Sequence, residues 1–142
     1  MAETAKTRTR PGTMRLSDAL QYRLPLAGVV SILHRASGAI LFVLLPFIVW
    51  MFDTSVTSEI SYSRFTSAFV AGIGYLPAWL VKLVVLALIW AYLHHFIAGL
   101  RHLWMDATHS VSKEFGRQSA VFTLALSALL TVLLGAKLFG LY

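Results

Sequence analysis

The chain has 142 residues, of which 58% are hydrophobic and only 13% are charged. Soluble domains carry about 25% charged residues, so the composition excludes a soluble enzyme fold and a disordered or collagen-like chain. The formal net charge is +6, and there is no cysteine. Disulfides, thiolate-bound zinc, cysteine nucleophiles and an iron–sulfur cluster held by this chain alone are therefore excluded, and a bound metal would depend on histidine.

The first predicted element is a polar, basic arm over residues 1–24, in which Pro11 and Gly12 interrupt regular structure. We expect this arm to be flexible. It lacks the small-residue cleavage site of a secretory signal, and Glu3 is atypical of a mitochondrial presequence. The sequence thus favours a bacterial cell inner membrane, with residues 25–142 forming the membrane anchor.

Three long uncharged stretches follow, each close to the roughly 20 apolar residues that cross a hydrocarbon core of about 30 Å. They predict an all-α membrane protein with three transmembrane helices, up-down-up, within a heteromeric helical bundle. The predicted spans cover about residues 29–52, 78–105 and 119–141. Pro46 predicts a kink in the first span. Phe65 and Phe69 predict a short interfacial helix between the first two spans.

Lysine and arginine residues lie at the ends of the spans and not along one soluble face. This distribution favours membrane lipid as a partner and argues against nucleic acid. With a cytoplasmic N-terminus, nine cations lie inside and three outside, which is a clear positive-inside bias. We therefore predict that the N-terminus and the loop around Lys113 are cytoplasmic.

Ionisable residues inside a span are expensive, so two clusters invite a functional explanation. The first lies on one face of the first span and comprises Ser31, His34, Arg35 and Gly38. The second forms one stripe of the second span and comprises His95, Gly99, His102 and Asp106. The two spans are antiparallel and both clusters fall in the predicted cytoplasmic half, so we expect them to meet at one membrane depth.

The second cluster outlines a haem b site. A histidine inside a span can ligate haem iron, and Gly99, one turn from His95, would leave room for a porphyrin. His34 and Arg35 could hold the haem propionates. No other histidine of this chain is well placed as a second axial ligand, so we expect that ligand to come from another subunit.

The first cluster has an equally good interpretation as a quinone site. Ser31 and Arg35 could hydrogen-bond a quinone carbonyl, whose reduction needs protons at a polar spot with access to water. His102 and Asp106 lie at the cytoplasmic mouth and would suit proton supply.

Simpler interpretations stay open for the same residues. His34, His94 and His102 could be interfacial or bonded to a neighbouring helix, and Arg35 and Arg101 could be snorkelling topology signals. Small residues at every fourth position of the third span predict close packing, within this chain or with a partner. They are Ser119, Thr123, Ser127, Thr131 and Gly135.

Two segments carry recognisable motifs: residues 31–38 read SILHRASG, and residues 95–106 read HFIAGLRHLWMD. They resemble S-I-x-H-R-x-[ST]-G and H-x-x-x-G-x-R-H-x-x-x-D, the signatures of the cytochrome b subunit of succinate dehydrogenase, a membrane anchor of respiratory complex II. The similarity extends over residues 20–142. His94 has no counterpart in the pattern, and the register ambiguity that it creates beside His95 is resolved only by Gly99 and the motif spacing.

The resemblance implies a membrane anchor that pairs with a second small anchor subunit and holds the flavoprotein and iron–sulfur subunits on the cytoplasmic face. Electrons from succinate, which is oxidised on other subunits, would reduce ubiquinone near the membrane surface. By position, His95 would be the axial ligand of haem b, with the other ligand from the partner anchor subunit. Ser31 and Arg35 would line the quinone site, and His34 with Arg35 would approach the haem propionates.

The sequence leaves other functions open. A quinol:fumarate reductase anchor would run the same electron path in reverse. A small proton or anion transporter subunit would use the buried histidine and arginine side chains as its path. A scaffold would use the polar clusters only for helix packing. A haem absorption band distinguishes the redox anchors from the transporter and the scaffold.

Overall fold

The computed structural model describes residues 24–142, so the predicted arm lies outside the described residues except for Leu24. Within this range the helices are α1 Leu26–Val43, α2 Leu45–Val56, α3 Glu59–Ala68, α4 Ala78–Thr108 and α5 Lys113–Leu138. Three of them, α1, α4 and α5, are long and apolar enough to cross a membrane. The prediction of an all-α membrane protein with three transmembrane helices is confirmed.

The first apolar segment is interrupted where proline enters it. After α1, Leu44 leaves helical geometry with φ −89° and ψ 5°, and α2 begins with Pro46 in its first turn. Proline has no backbone N–H to bond the carbonyl one turn earlier, and its ring crowds that carbonyl. The segment therefore forms two helices, where the sequence predicts one kinked helix over residues 29–52.

α3 lies in the connection between the first and second spans. Its first turn is capped reciprocally: Ser61 N–H donates to Ser58 Oγ at 3.1 Å, and Ser58 N–H donates to Ser61 Oγ at 2.9 Å. Phe65 contacts both Tyr62 and Phe69 along one side of the helix. The short helix is present where the sequence predicts it, and its aromatic side suits a membrane–water interface.

α4 and α5 are joined by a short loop in which His109 adopts a left-handed conformation with φ 53°. Ser112 then caps α5, because its Oγ accepts from Phe115 N–H at 3.2 Å. α5 ends where Gly140 adopts φ 77° and donates to Lys137 O at 3.0 Å, a termination that glycine allows. These caps make the third span begin and end earlier than the sequence predicts.

Small residues bring the three spans together. α1 packs on α4 and α5, and α4 packs on α5. The buried core cluster is Val30, Ala98 and Ala120. The small-residue stripe of α5 lies in this contact, and its buried members are Thr123, Ser127 and Gly135. The sequence left open whether the stripe packs within this chain or against a partner, and these three members pack within the chain.

A bulky side chain at the α4–α5 contact should destabilise the protein. We expect Ser127→Leu to lower the Tm of the solubilised protein, because overpacking a buried site costs about 1–3 kcal/mol and Ser127 is buried against His94. Ala128→Leu, at the next and exposed position, should leave the Tm nearly unchanged. Equal Tm shifts for the two variants would contradict this packing.

Candidate functional site

α1 and α4 bring three histidines together, as their shared membrane depth predicts. The rings of His34 and His95 stack, with centroids 4.2 Å apart and planes inclined by 20°. The ring of His102 lies 5.3 Å from that of His34 between centroids. All three side chains are half-buried at the α1–α4 contact. We call these three residues the histidine cluster.

A hydrogen bond to α1 fixes the orientation of the His95 ring. His95 Nδ1 lies 3.0 Å from the backbone oxygen of His34. Because a carbonyl oxygen can only accept, we assign the proton to Nδ1 and the lone pair to Nε2. Nε2 has no hydrogen-bond partner among residues 24–142. Such an outer bond fixes the tautomer and orientation of a histidine that ligates a metal.

The next residues of α1 shape the space around His95. Ser37 is fully buried, and its Oγ donates to His34 O at 2.9 Å and lies 3.4 Å from His95 Nδ1. A Cβ placed on Gly38 would come within 2.8 Å of His95 Cε1. This is well inside the roughly 3.5–4.0 Å at which carbon atoms ordinarily make contact. Only glycine therefore permits the observed ring position.

The remaining members of the predicted α4 stripe lie around His34 and at the end of the helix. A Cβ on Gly99 would lie 3.6 Å from His34 Nε2, which is ordinary contact, so His34 faces this glycine. Asp106 is exposed one turn beyond His102. Along α4, His102 therefore lies between His95 and the exposed carboxylate of Asp106.

Ser31 and Arg35 adjoin on α1. Arg35 Nε donates to the backbone oxygen of Ser31 at 3.3 Å. Arg35 is exposed and Ser31 is half-buried. Among the described residues, neither the Ser31 hydroxyl nor the other N–H groups of Arg35 have a hydrogen-bond partner. Within residues 24–142, both groups are therefore left without an acceptor.

His94 bonds to a neighbouring helix, one of the simpler interpretations that the sequence leaves open, and the structure identifies its partner. Its side chain is fully buried, its Nδ1 lies 3.2 Å from Ser127 Oγ on α5, and its ring stacks on Trp90. Its Nε2 is buried with no hydrogen-bond partner within residues 24–142. The hydrogen bond of His94 goes to α5, whereas that of His95 goes to α1. The sequence feature that could have indicated this partner is Ser127, which belongs to the small-residue stripe of α5.

Arg101 packs inside the protein, so the interpretation that its side chain snorkels is wrong, whereas its part in the positive-inside bias stays a prediction. Its side chain is only 8% exposed. Arg101 Nε donates to Ser119 Oγ at 2.9 Å, and Nη2 donates to Gly116 O at 3.2 Å. A buried guanidinium needs such partners, and here they tie the loop ends of α4 and α5 together.

The fold and the site define a multi-span membrane protein with a histidine cluster between two neighbouring spans. The family model described as succinate dehydrogenase/fumarate reductase transmembrane subunit matches residues 6–134. The chain belongs to this family, which confirms the resemblance carried by its two motifs.

Curated bacterial relatives match the chain over most of its length. The succinate dehydrogenase cytochrome b556 subunit of Paracoccus denitrificans is 35% identical over 123 residues, which are 86% of this chain and 89% of the relative. The protein of the same name from Coxiella burnetii is 30% identical over 118 residues, or 83% and 90%. That of Rickettsia felis is 27% identical over 125 residues, or 88% and 90%. These similarities place the chain among the cytochrome b subunits of the family.

The histidine cluster fits a haem better than a bare metal ion. Among residues 24–142, no three His, Cys, Asp or Glu side chains are grouped to hold a metal ion. A haem takes only axial ligands from the protein, because the porphyrin supplies the equatorial nitrogens. His95 offers an oriented Nε2 for that purpose.

A methyl group on Gly38 should displace the His95 ring. We expect Gly38→Ala to lower the haem affinity of the purified protein about 10- to 100-fold, the usual effect of disturbing the support of a metal ligand. Haem content per protein and a haem titration measure it. Gly28→Ala on the same helix is the matched control, because its Cβ would meet Pro25 at an ordinary 3.6 Å. Full haem content in Gly38→Ala would refute the steric role of Gly38.

Proposed function

We propose that the chain is the haem b-binding, quinone-site membrane anchor of a succinate:ubiquinone oxidoreductase. The observation that carries this proposal is the His95 ring, whose Nδ1 is held by the His34 carbonyl at 3.0 Å while Nε2 is left for iron. The name cytochrome b556 subunit, borne by the relatives, supports a haem protein. The chain would pass electrons to ubiquinone and hold the flavoprotein and iron–sulfur subunits, which oxidise succinate, at the membrane.

His95 would be the axial ligand of haem b on this chain, with the other ligand supplied by a second small anchor subunit. A bound haem b supplies a one-electron carrier. Arg35 is exposed next to His34 and would bind propionate carboxylates bidentately, with His34 as a further donor. Gly99 would leave the α4 surface free of a side chain one turn from His95.

Ser31 and Arg35 would bind ubiquinone. The Ser31 hydroxyl and those guanidinium N–H groups of Arg35 that have no partner within residues 24–142 would donate hydrogen bonds to a quinone carbonyl. They would hold it at the predicted cytoplasmic end of α1. Donors aimed at that oxygen also stabilise the negative charge that develops there on reduction. His102 and Asp106 lie towards the exposed end of α4 and would supply the protons.

The positive-inside distribution supports a cytoplasmic N-terminus in a bacterial inner membrane. In this orientation the arm, the α4–α5 loop and the exposed ends of both functional clusters face the compartment in which the flavoprotein and iron–sulfur subunits would dock. Membrane lipid would cover the apolar surface that other subunits leave free, which includes the exposed side chains of Phe42 and Phe122.

Loss of the axial ligand should change the haem spectrum. We expect His95→Leu to abolish or shift the b-type band in a dithionite-reduced minus oxidised spectrum of the membrane complex, because leucine offers iron no ligand. His109→Asn, at an exposed histidine outside the cluster, is the control and should leave the band unchanged, because asparagine tolerates the left-handed conformation of this position. A band that persists unaltered in His95→Leu would move the ligand elsewhere, with His94 the first alternative.

Quinone reduction and succinate oxidation should respond differently to changes on α1. We expect Arg35→Ala to lower quinone reductase activity at least about tenfold, the scale of losing a charge-assisted hydrogen bond, and Ser31→Ala to lower it about three- to tenfold, the scale of a neutral one. Succinate oxidation measured with a soluble dye should stay largely intact. Arg117→Ala, another exposed arginine, should affect neither activity. Equal loss of both activities in the α1 variants would count against the quinone assignment.

The family also includes fumarate reductase transmembrane subunits, so an anchor that runs electrons from quinol to fumarate is the second candidate. The relatives from Paracoccus, Coxiella and Rickettsia are all named as succinate dehydrogenase subunits, which favours the succinate direction. A proton or anion transporter subunit would lack the haem band altogether, so the spectrum that tests His95 also tests this alternative.

A further inference from the structure

The backbone oxygen of His34 attracts more donors than it has lone pairs. Within α1 it accepts from the amide of residue 38, as helical carbonyls do. It also accepts from the Ser37 hydroxyl at 2.9 Å and from His95 Nδ1–H at 3.0 Å. A carbonyl oxygen offers two lone pairs. The Ser37 hydroxyl and the His95 ring therefore compete for the same acceptor.

Helix stability does not account for a hydroxyl at position 37. Serine is a poorer helix former than alanine, and a hydroxyl that bonds back to its own helix slightly destabilises and bends it. Alanine would also fit a site in which Ser37 is fully buried. The main effect of the Ser37 hydroxyl is therefore on His95 of α4, whose Nδ1 lies 3.4 Å from Ser37 Oγ.

We propose that Ser37 is a positioning residue that tunes the reduction potential of the haem through His95. This inference rests on the proposed role of His95 as axial ligand. A strong acceptor at Nδ1–H makes an imidazole more electron-rich and stabilises oxidised iron. The Ser37 hydroxyl donates to the same His34 carbonyl. This weakens the carbonyl as an acceptor for His95 and so raises the reduction potential of the haem. At 3.4 Å its own oxygen is too distant to replace the carbonyl as an acceptor.

An optical redox titration of the haem in the complete purified complex tests this inference. In Ser37→Ala the His34 carbonyl no longer accepts from a hydroxyl and bonds His95 Nδ1–H more strongly. The ratio of reduced to oxidised haem at a fixed potential should therefore fall about three- to tenfold, which is the effect of one hydrogen bond on an equilibrium constant. Tenfold corresponds to about 59 mV for a one-electron couple. Ser37→Thr keeps the hydroxyl and should restore the wild-type potential.

Thr123→Ala is the matched control, because Thr123 is also buried and its hydroxyl also bonds to its own helix, donating to Ser119 O at 2.9 Å. It should not shift the potential. An unchanged or higher potential in Ser37→Ala, an equal shift in Thr123→Ala, or an assembled Ser37→Ala complex without haem would overturn the inference.

His95→Leu, measured in parallel, distinguishes failure of this inference from failure of the proposed function. If only His95→Leu changes the haem, His95 remains the ligand and the tuning role of Ser37 is refuted. If the wild-type complex contains no haem, both the proposed function and the inference are refuted.

Discussion

The site depends on one contact between spans: the His95 ring of α4 against the backbone of α1. The hydrogen bond from Nδ1 to His34 O is 3.0 Å long, and Gly38 leaves the space in which the ring lies. A backbone oxygen within a helix cannot rotate away as a side-chain acceptor can. The direction of Nε2 is therefore set by the packing of two helices, which is more rigid than any loop.

α4 carries two polar stripes, and each holds a different neighbour. His95 and His102 face α1, where they form the histidine cluster with His34. The other stripe, His94 and Arg101, faces α5, where it meets Ser127 and a pair of acceptors at the loop end. Polar groups inside a bilayer have to find partners within the protein. The second stripe thus holds α5 in place, and the first is the stripe that we propose for cofactor chemistry.

Much of this arrangement follows from the sequence. The uncharged stretches predict three spans because apolar length is the dominant requirement of a bilayer. The common membrane depth of His34 and His95 follows from helix rise and antiparallel direction. The helix ends were less predictable, because the caps at Ser112 and Gly140 depend on local hydrogen bonds.

The roles of His94 and Arg101 could not be predicted in the same way. Adjacent histidines differ by about 100° around a helix axis, and only the packed positions of α1 and α5 decide which neighbour each one meets. A buried arginine and a snorkelling one have the same sequence signature near a span end. The fold, the spans and the two clusters were thus predictable, whereas the partner of each polar side chain required the structure.

An experimental density map of the assembled complex, at a resolution that shows the orientation of the imidazole rings, tests the central claim most directly. We expect the haem iron on Nε2 of His95, with Nδ1 of the same ring still within hydrogen-bonding distance of the His34 carbonyl. Iron bound by His94 or His34, or a histidine cluster with no haem beside it, would contradict the assignment.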